Sequence, residues 1–181
     1  MKINKSKSES EISKTLGSTL NISNLFAVPK IIKVVISTGV GKFKDDQNII
    51  NTIMADLALI TGQKPKINLS KKAVSAFKLR LKQPVGLTVT LRGSKMHDFI
   101  QRFSQIAIPR IRDFKGLSLR GLDDHGNYSL GIEEHTIMPE IKYDDVKQIY
   151  GFQVNINTSA KNKDQAKALL TEYGFVFEKI N

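Results

Sequence analysis

The 181-residue chain contains no cysteine, so disulfides, thiolate zinc sites and iron–sulfur clusters are excluded. No apolar run approaches the roughly 20 residues that are needed to cross a bilayer. The polar N-terminus also lacks the apolar core of a secretory signal. With 40% hydrophobic residues, the composition is that of a folded globular protein rather than a disordered one. Together these features predict a protein of the cytoplasm, with an organelle as the alternative, and no membrane partner.

Acidic residues are scarce in the middle of the chain. Residues 61–120 contain 14 Lys or Arg but only Asp98 and Asp113, so this third carries a formal charge of +12. The rest of the chain is nearly balanced, and the middle third therefore accounts for the whole net charge of +11. Such a surplus repels itself on folding, which predicts a polyanionic partner, most commonly a phosphate backbone. A merely solvated surface is the alternative, but such surfaces usually mix both signs.

Periodicity divides the chain into strands, helices and loops. Alternating apolar residues predict strands at Lys30–Thr38, Val85–Arg92, Tyr128–Ile132 and Gly151–Thr158. Apolar stripes with capping residues predict helices at Asn48–Thr61, Ser94–Ile106 and Lys163–Gly174. The polar, basic stretch 71–83 has no sustained period and is predicted to be a long mobile loop. Residues 1–24 are predicted to form a mobile N-terminal arm, and residues 25–181 a single domain.

The three clearest strands each have one apolar and one polar face. Because amphipathic helices must bury their apolar stripes, we expect them to cover the apolar face of a sheet in an α+β fold. The opposite face then presents hydroxyl and amide groups, from Ser37, Thr88, Thr90, Gln153, Asn155 and Asn157. Such groups can hydrogen-bond riboses and the shallow minor groove of RNA. An ordinary solvated sheet face is the alternative, since alternation always produces one.

Enzymatic motifs fail on their spacing. The segment Thr38–Lys42 is similar to a phosphate-binding loop, but the first required Gly and the final Ser or Thr are missing. Asp123–Asn127 has the composition of a calcium loop without its first ligand, and a turn is the better interpretation. The three histidines are scattered, and Glu133 and Glu134 should point away from His135 if that segment is extended. We therefore predict no catalytic residues, no metal site and no cofactor, and a small phosphotransfer enzyme is the weakest alternative.

Several longer motifs resemble the bacterial "L five" family of large-subunit ribosomal proteins. The resemblance covers roughly residues 25–180, in order, and its motifs are Thr61–Pro65, Lys71–Arg80, Pro84–Gly86, Val89–Arg92, Ile108–Leu117, Gly126–Gly131 and Pro139–Asp144. It implies an antiparallel sheet with helices packed on one face, an exposed polar face that binds RNA and a long basic loop. It also implies 5S rRNA as a partner in the central protuberance, together with 23S-type rRNA and other central-protuberance ribosomal proteins.

The resemblance assigns roles to particular positions. For 5S rRNA binding, it implies the sheet face and the neighbouring turn, namely Ser37, Gln63, Lys64, Thr88, Thr90 and Arg92. For contact with P-site tRNA, it implies the basic loop, namely Lys71, Lys72, Phe77, Lys78 and Arg80. For a bridge to the small-subunit head protein, it implies the segment Arg112, Asp113, Phe114 and Lys115 together with residues 120–145.

Three positions depart from the pattern of that family. Ser37 stands where Asn is usual, Lys82 where Gly is common, and His125 where a basic residue is common. The function expected from the resemblance is a structural constituent of the ribosome. An RNA-binding regulator that does not reside on the ribosome is the alternative from another class.

Overall fold

A computed structural model describes residues 9–178 of the chain. Within this range lie four α-helices: α1 (Glu9–Thr19), α2 (Gln47–Thr61), α3 (Gly93–Arg102) and α4 (Lys163–Glu172). Five strands accompany them: β1 (Ile31–Gly39), β2 (Lys66–Leu69), β3 (Pro84–Leu91), β4 (Tyr128–Ile132) and β5 (Phe152–Thr158). The strands form one open antiparallel sheet in the order β2-β3-β1-β5-β4. The predicted α+β class is thus confirmed, although β2 was missed.

The chain divides into two compact units, and every strand except β2 and β3 contributes residues to both. Among the described residues, the first unit holds those up to Val34, then Arg92–Leu130 and those from Asn155 onward. The second unit holds Val35–Leu91 and Gly131–Val154. The sequence-based prediction of one domain from residue 25 did not distinguish these units. None of the helices in the described range is both long and apolar enough to span a membrane.

The first unit is built around α1, α3 and α4. Helix α1 contacts α4 and buries Ile12 and Leu16, so part of the predicted arm is packed in the core. The mobility predicted for residues 1–24 stays a prediction, and residues 1–8 lie outside the described range. Aromatic rings form the centre of the unit, with Phe99 stacked on Phe103 at 5.4 Å between ring centroids.

Helix α3 ends differently from the prediction. The sequence predicted one helix from a Ser94 cap to Ile106, but α3 begins at Gly93 and gives way to a π-helical turn at Phe103–Ala107. In this turn the N–H of Ile108 donates to the carbonyl of Phe103, five residues earlier. The wider turn rotates the apolar stripe, so Ala107 is buried while Ile106 is 43% exposed.

Burial in the strands follows the predicted alternation except at the start of β1. From Val34 onward, the alternate residues Val34 and Ile36 are fully buried, as predicted. Ile32 was assigned to the same face, yet it is 45% exposed while its neighbour Ile31 is buried. A one-residue change of phase moves a side chain to the opposite face of a strand, and at this point the β1 alternation is irregular.

Helix α2 dominates the second unit; it begins at Gln47, one residue before the predicted start, and ends at Thr61 as predicted. The carboxylate of Asp46 accepts hydrogen bonds from the N–H groups of Asn48 and Ile49, at 2.9 and 3.2 Å. At the other end, Gly62 has the left-handed φ of +64° that glycine tolerates. The helix contacts β3 and buries Ile50, Ile53, Leu57 and Ile60. This packing leaves the opposite face of the second unit's strands to the polar side chains.

Candidate nucleic-acid interface

An open groove crosses the sheet within the second unit. Its lining comes from β1, β2, β3, the end of β4 and the start of β5: Ser37, Thr38, Gly39, Asn68, Val85, Gly86, Leu87, Thr88, Ile132, Gly151, Phe152 and Gln153. Three of the polar-face residues predicted from alternation, Ser37, Thr88 and Gln153, line this groove together. The sheet therefore brings together hydroxyl and amide groups that lie more than 100 residues apart in the chain.

Two glycines allow the strands to approach closely along the groove. A Cβ atom added to Gly86 would lie 3.1 Å from the carbonyl oxygen of Thr38, on the neighbouring strand. A Cβ atom added to Gly151 would lie only 2.7 Å from the carbonyl oxygen of Ile132. The Thr38 hydroxyl donates to the Gly151 carbonyl at 2.6 Å and joins β1 to the start of β5. A side chain at Gly151 would need the backbone to shift, whereas one at Gly86 would need the Thr38 carbonyl to move by only a few tenths of an ångström.

Asn68 is a groove residue that the sequence analysis did not identify. Its amide nitrogen donates to the hydroxyl of Thr88 at 2.6 Å, and this bond orients the Thr88 side chain. Asn68 was missed because β2 has only four residues and one apolar pair, which is too short for alternation to be recognised. The pairing of β2 with β3 was the missing signal, since it sets Lys66 opposite Thr88 and Asn68 opposite Gly86.

Gln63 and Thr90 form a second contact in the same unit. The amide nitrogen of Gln63 lies 3.4 Å from the carbonyl oxygen of Thr90, and both residues are exposed. The turn that carries Gln63 is held by Thr61, whose buried hydroxyl donates to the carbonyl of Leu57 at 2.7 Å. Lys64 follows as an exposed cation, whereas Arg92 is an exposed residue of the first unit. Of the six positions predicted for RNA, Ser37 and Thr88 thus line the groove, and Gln63 and Thr90 form this contact, all in the second unit.

The basic loop contains local structure that the sequence did not predict. Val74 and Leu79 exchange two backbone hydrogen bonds, of 3.0 and 3.1 Å, around a turn at Ser75–Phe77. At the base of the loop, Ser70 and Gln83 are paired through a backbone bond of 2.9 Å. Gln83 also donates to Asp45 at 3.3 Å. The loop thus resembles a short hairpin on a fixed base, and the mobility predicted for it stays a prediction.

The outer surface of this loop is cationic and carries one exposed aromatic ring. The charged side chains are all exposed, at Lys71, Lys72, Lys78, Arg80 and Lys82. Phe77 is 77% exposed, which leaves its ring accessible to a partner. Residues 61–91 carry seven Lys or Arg and no acid, so no carboxylate in this segment can neutralise these cations. Such a surface suits a phosphate backbone.

The segment predicted to bridge to a protein lies in the first unit. Arg112 and Asp113 project into solvent, with side chains 97% and 88% exposed and a loose ion pair of 3.9 Å between them. Lys115 is also exposed and Phe114 is half-buried. Beyond Gly116, the chain is anchored by backbone bonds from Leu117 to Val176 and from Glu178 to Leu117, at 2.8 and 3.0 Å. The segment is therefore an exposed loop attached to an ordered base.

Asp123 organises the turn that had the composition of a calcium loop. Its carboxylate accepts hydrogen bonds from the N–H groups of His125 and Asn127, at 3.0 and 2.6 Å. The little burial present would raise the pKa of Asp123, but these bonds and the Asn127 amide outweigh it and lower that pKa. The predicted turn is thus confirmed. Within residues 9–178, no group of three or more His, Asp or Glu residues is arranged to hold a metal ion.

The chain was compared with known proteins. Residues 24–80 match the family model described as "Ribosomal protein L5", and residues 84–177 match the model that describes the C-terminus of the same ribosomal family. "Large ribosomal subunit protein uL5" of Francisella philomiragia subsp. philomiragia is 46% identical over 170 residues, which cover 94% of this chain and 95% of that protein. "Large ribosomal subunit protein uL5c" of Gracilaria tenuistipitata var. liui is 44% identical over 167 residues, 92% of this chain and 93% of that protein.

Lys82 offers a test of the loop geometry, because its φ of +62° lies in the region that favours glycine. Replacing Lys82 by Gly should remove about 1 kcal/mol of backbone strain, partly offset by the roughly 0.5–1 kcal/mol entropy cost of a glycine. Lys72→Gly is the matched control, since Lys72 is an exposed loop lysine whose φ is not positive. In urea unfolding, Lys82→Gly should be about 1 kcal/mol more stable than Lys72→Gly. Equal stability of the two variants would contradict the left-handed conformation at residue 82.

Proposed function

The chain belongs to the ribosomal L5 protein family and is a structural constituent of the large ribosomal subunit rather than an enzyme, and from this premise we propose that it binds 5S rRNA through the polar groove of its second unit. The observation that supports this proposal is the convergence of Ser37, Asn68, Thr88 and Gln153 on one open groove. Gln63, Lys64 and Thr90 extend the same contact, and a 5S rRNA contact of its own is proposed for Arg92, an exposed residue of the first unit.

The chemistry of the groove suits the sugar–phosphate backbone of RNA. Hydroxyl and amide groups can both donate to and accept from a ribose 2′-hydroxyl, which distinguishes RNA from DNA. The groove includes one aromatic residue, Phe152, but it is only 4% exposed and cannot stack on an unpaired base. Recognition therefore rests on shape and on hydrogen bonds to riboses and base edges rather than on stacking.

We assign a second contact, with the tRNA in the peptidyl site, to the basic loop. Lys71, Lys72, Lys78 and Arg80 are exposed cations that can bind phosphates without reading the sequence, and Phe77 provides an exposed ring among them. Such contacts suit tRNAs, because they differ in sequence but share a shape. The hairpin pairing of Val74 with Leu79 would hold these cations out from the unit.

A third surface in this proposal is the exposed segment Arg112–Lys115 of the first unit, which we assign to a bridge with the small-subunit head protein. Arg112, Asp113 and Lys115 present charges of both signs, which suits a protein surface better than a phosphate backbone. The neighbouring 23S-type rRNA and other central-protuberance ribosomal proteins complete the proposed set of partners.

Binding of the isolated protein to transcribed 5S rRNA tests the central proposal. If the contact neutralises about five phosphates, the logarithm of the binding constant should fall with a slope between roughly −3.5 and −4.5 against the logarithm of the salt concentration. Filter binding over a range of potassium chloride concentrations measures this slope. A DNA copy of the same sequence should bind more weakly, because it lacks the 2′-hydroxyls. A salt-independent affinity would remove the argument from the basic segment.

Thr90→Val should weaken the binding of 5S rRNA without changing the fold, because it keeps the β-branched shape and deletes the hydroxyl. The expected loss is about 1 kcal/mol, the scale of one hydrogen bond, and Gln63→Ala should behave similarly. Thr52→Val is the matched control, since the hydroxyl of Thr52 donates to the carbonyl of Asn48 within α2, at 3.0 Å. If Thr90→Val and Gln63→Ala both bind like the control, the sheet face is ordinary solvated surface.

The basic loop should act in a different step. The double variant Lys78→Ala with Arg80→Ala should leave 5S rRNA affinity nearly unchanged, while tRNA dissociates faster from the peptidyl site of programmed ribosomes. Lys161→Ala with Lys167→Ala is the matched control, because it removes two exposed lysines that lie outside the loop, the groove and the predicted bridge. Loss of 5S rRNA binding with normal tRNA retention would show that the two surfaces were assigned the wrong way round.

A further inference from the structure

A buried histidine lies against a tyrosine at the base of the segment 133–150 in the second unit. His135 has no exposed surface, and its ring stacks on that of Tyr150 with 4.0 Å between centroids and an angle of 12°. The backbone N–H of His135 also donates to the carbonyl of Tyr150 at 3.1 Å. Ring stacking and a backbone hydrogen bond therefore close the segment at the same point. Glu133 and Glu134 are exposed beside it.

The surroundings of His135 favour its uncharged form. Within the described residues, neither ring nitrogen has a hydrogen-bond partner, and Nε2 lies 3.9 Å from Oδ2 of Asp56 on α2. Burial lowers the pKa of His135, and the negative charges of Asp56 and Glu134 only partly oppose this. Burial also raises the pKa of Asp56, while the His135 ring and the Tyr150 hydroxyl lower it. Because the two groups lie 3.9 Å apart and form no hydrogen bond, the carboxylate compensates a charge on His135 only weakly.

The His135–Tyr150 stack is directly connected to the groove. Ile132, three residues before His135, and Gly151, immediately after Tyr150, both line the groove. Gly151 approaches the carbonyl of Ile132 so closely that a Cβ atom there would lie 2.7 Å from it, and the Gly151 carbonyl accepts from the Thr38 hydroxyl at 2.6 Å. Opening the stack would release the two residues that hold this end of the groove against β1.

We propose that His135 and Tyr150 are positioning residues for the RNA groove, because their stack holds Ile132 and Gly151 in place. Only an uncharged His135 fits beside Tyr150 and Asp56. Acidification therefore opens this end of the groove and weakens RNA binding. The RNA part of this proposal rests on the proposed function. The positioning part can be measured in the free protein.

The direction of the pH effect follows from the two protonation equilibria. In the closed state the pKa of His135 lies below 6.5, whereas in the open state the ring returns to its ordinary value of about 6.5. Protons therefore favour the open state below that value, by up to about tenfold for each pH unit. The raised pKa of Asp56 acts in the opposite direction, because protonation of Asp56 above its ordinary value of 3.8 favours the closed state. Phosphate attraction alone predicts the reverse, since protonated histidines add positive charge and should tighten RNA binding.

Hydrogen exchange of the full chain tests the positioning role without RNA. Protection factors of residues 132–135 and 150–153 are measured at about pH 7.5 and pH 5.5, on either side of the ordinary histidine pKa. The parent protein should lose protection at the lower pH, by roughly threefold or more within the tenfold limit set by the linkage. His135→Gln should show a pH-independent protection factor there. His125→Gln is the matched control, because His125 is exposed in the first unit, and it should keep the profile of the parent.

The same proteins are then tested for 5S rRNA affinity at both pH values. The parent and His125→Gln should bind more weakly at the lower pH, whereas His135→Gln should not. Tyr150→Leu, which removes the stack, should reduce both protection and affinity at either pH, and Tyr150→Phe, which keeps the ring, should restore them. An unchanged exchange profile in the parent, or the same pH profile in His135→Gln, would overturn the proposal. Normal pH-dependent exchange with no 5S rRNA binding at any pH would instead contradict the proposed function.

Discussion

Burial of one face of the sheet is the constraint on which the rest of the structure depends. Side chains alternate along each strand, so residues such as Val34, Leu87, Val89 and Val154 can be removed from water only if their neighbours point the other way. The neighbours in the second unit are Ser37, Thr88 and Gln153, and the sheet gathers them into one groove. The polar surface is therefore a direct consequence of how the core forms.

Charge acts on this scaffold differently from burial. The exposed lysines and arginines of residues 61–91 contribute little to the core, and their mutual repulsion opposes folding of the isolated chain. A polyanion turns this cost into binding free energy when counterions are released. The basic loop can therefore strengthen the binding of an RNA that lies in the groove without contacting the groove itself. At the base of this loop, polar backbone contacts such as that between Ser70 and Gln83 take the place of apolar packing.

Local pattern predicted most of the helices and strands, and its errors have identifiable causes. Helix α2 was predicted to within one residue at each end, because its caps, Asp46 and Gly62, act through local backbone geometry. The end of α3 was wrong, because a periodicity argument assumes an α-helix and cannot foresee a π turn at Phe103. Strand β2 was missed, because four residues with one apolar pair become a strand only by pairing with β3. Of the groove, the sequence identified Ser37, Thr88 and Gln153 but neither Asn68 nor the paired glycines.

The sequence by itself determined the fold class, the alternation that creates a polar face, and the concentration of charge that predicts a polyanionic partner. These properties depend on residue type and spacing along the chain, which can be read directly. Only the tertiary structure decided that Asn68 orients Thr88, that Gly86 and Gly151 allow the strands to approach, and that His135 stacks on Tyr150 beside Asp56. Each of these depends on residues that are distant along the chain, and no local pattern records which distant side chain will fill a given space.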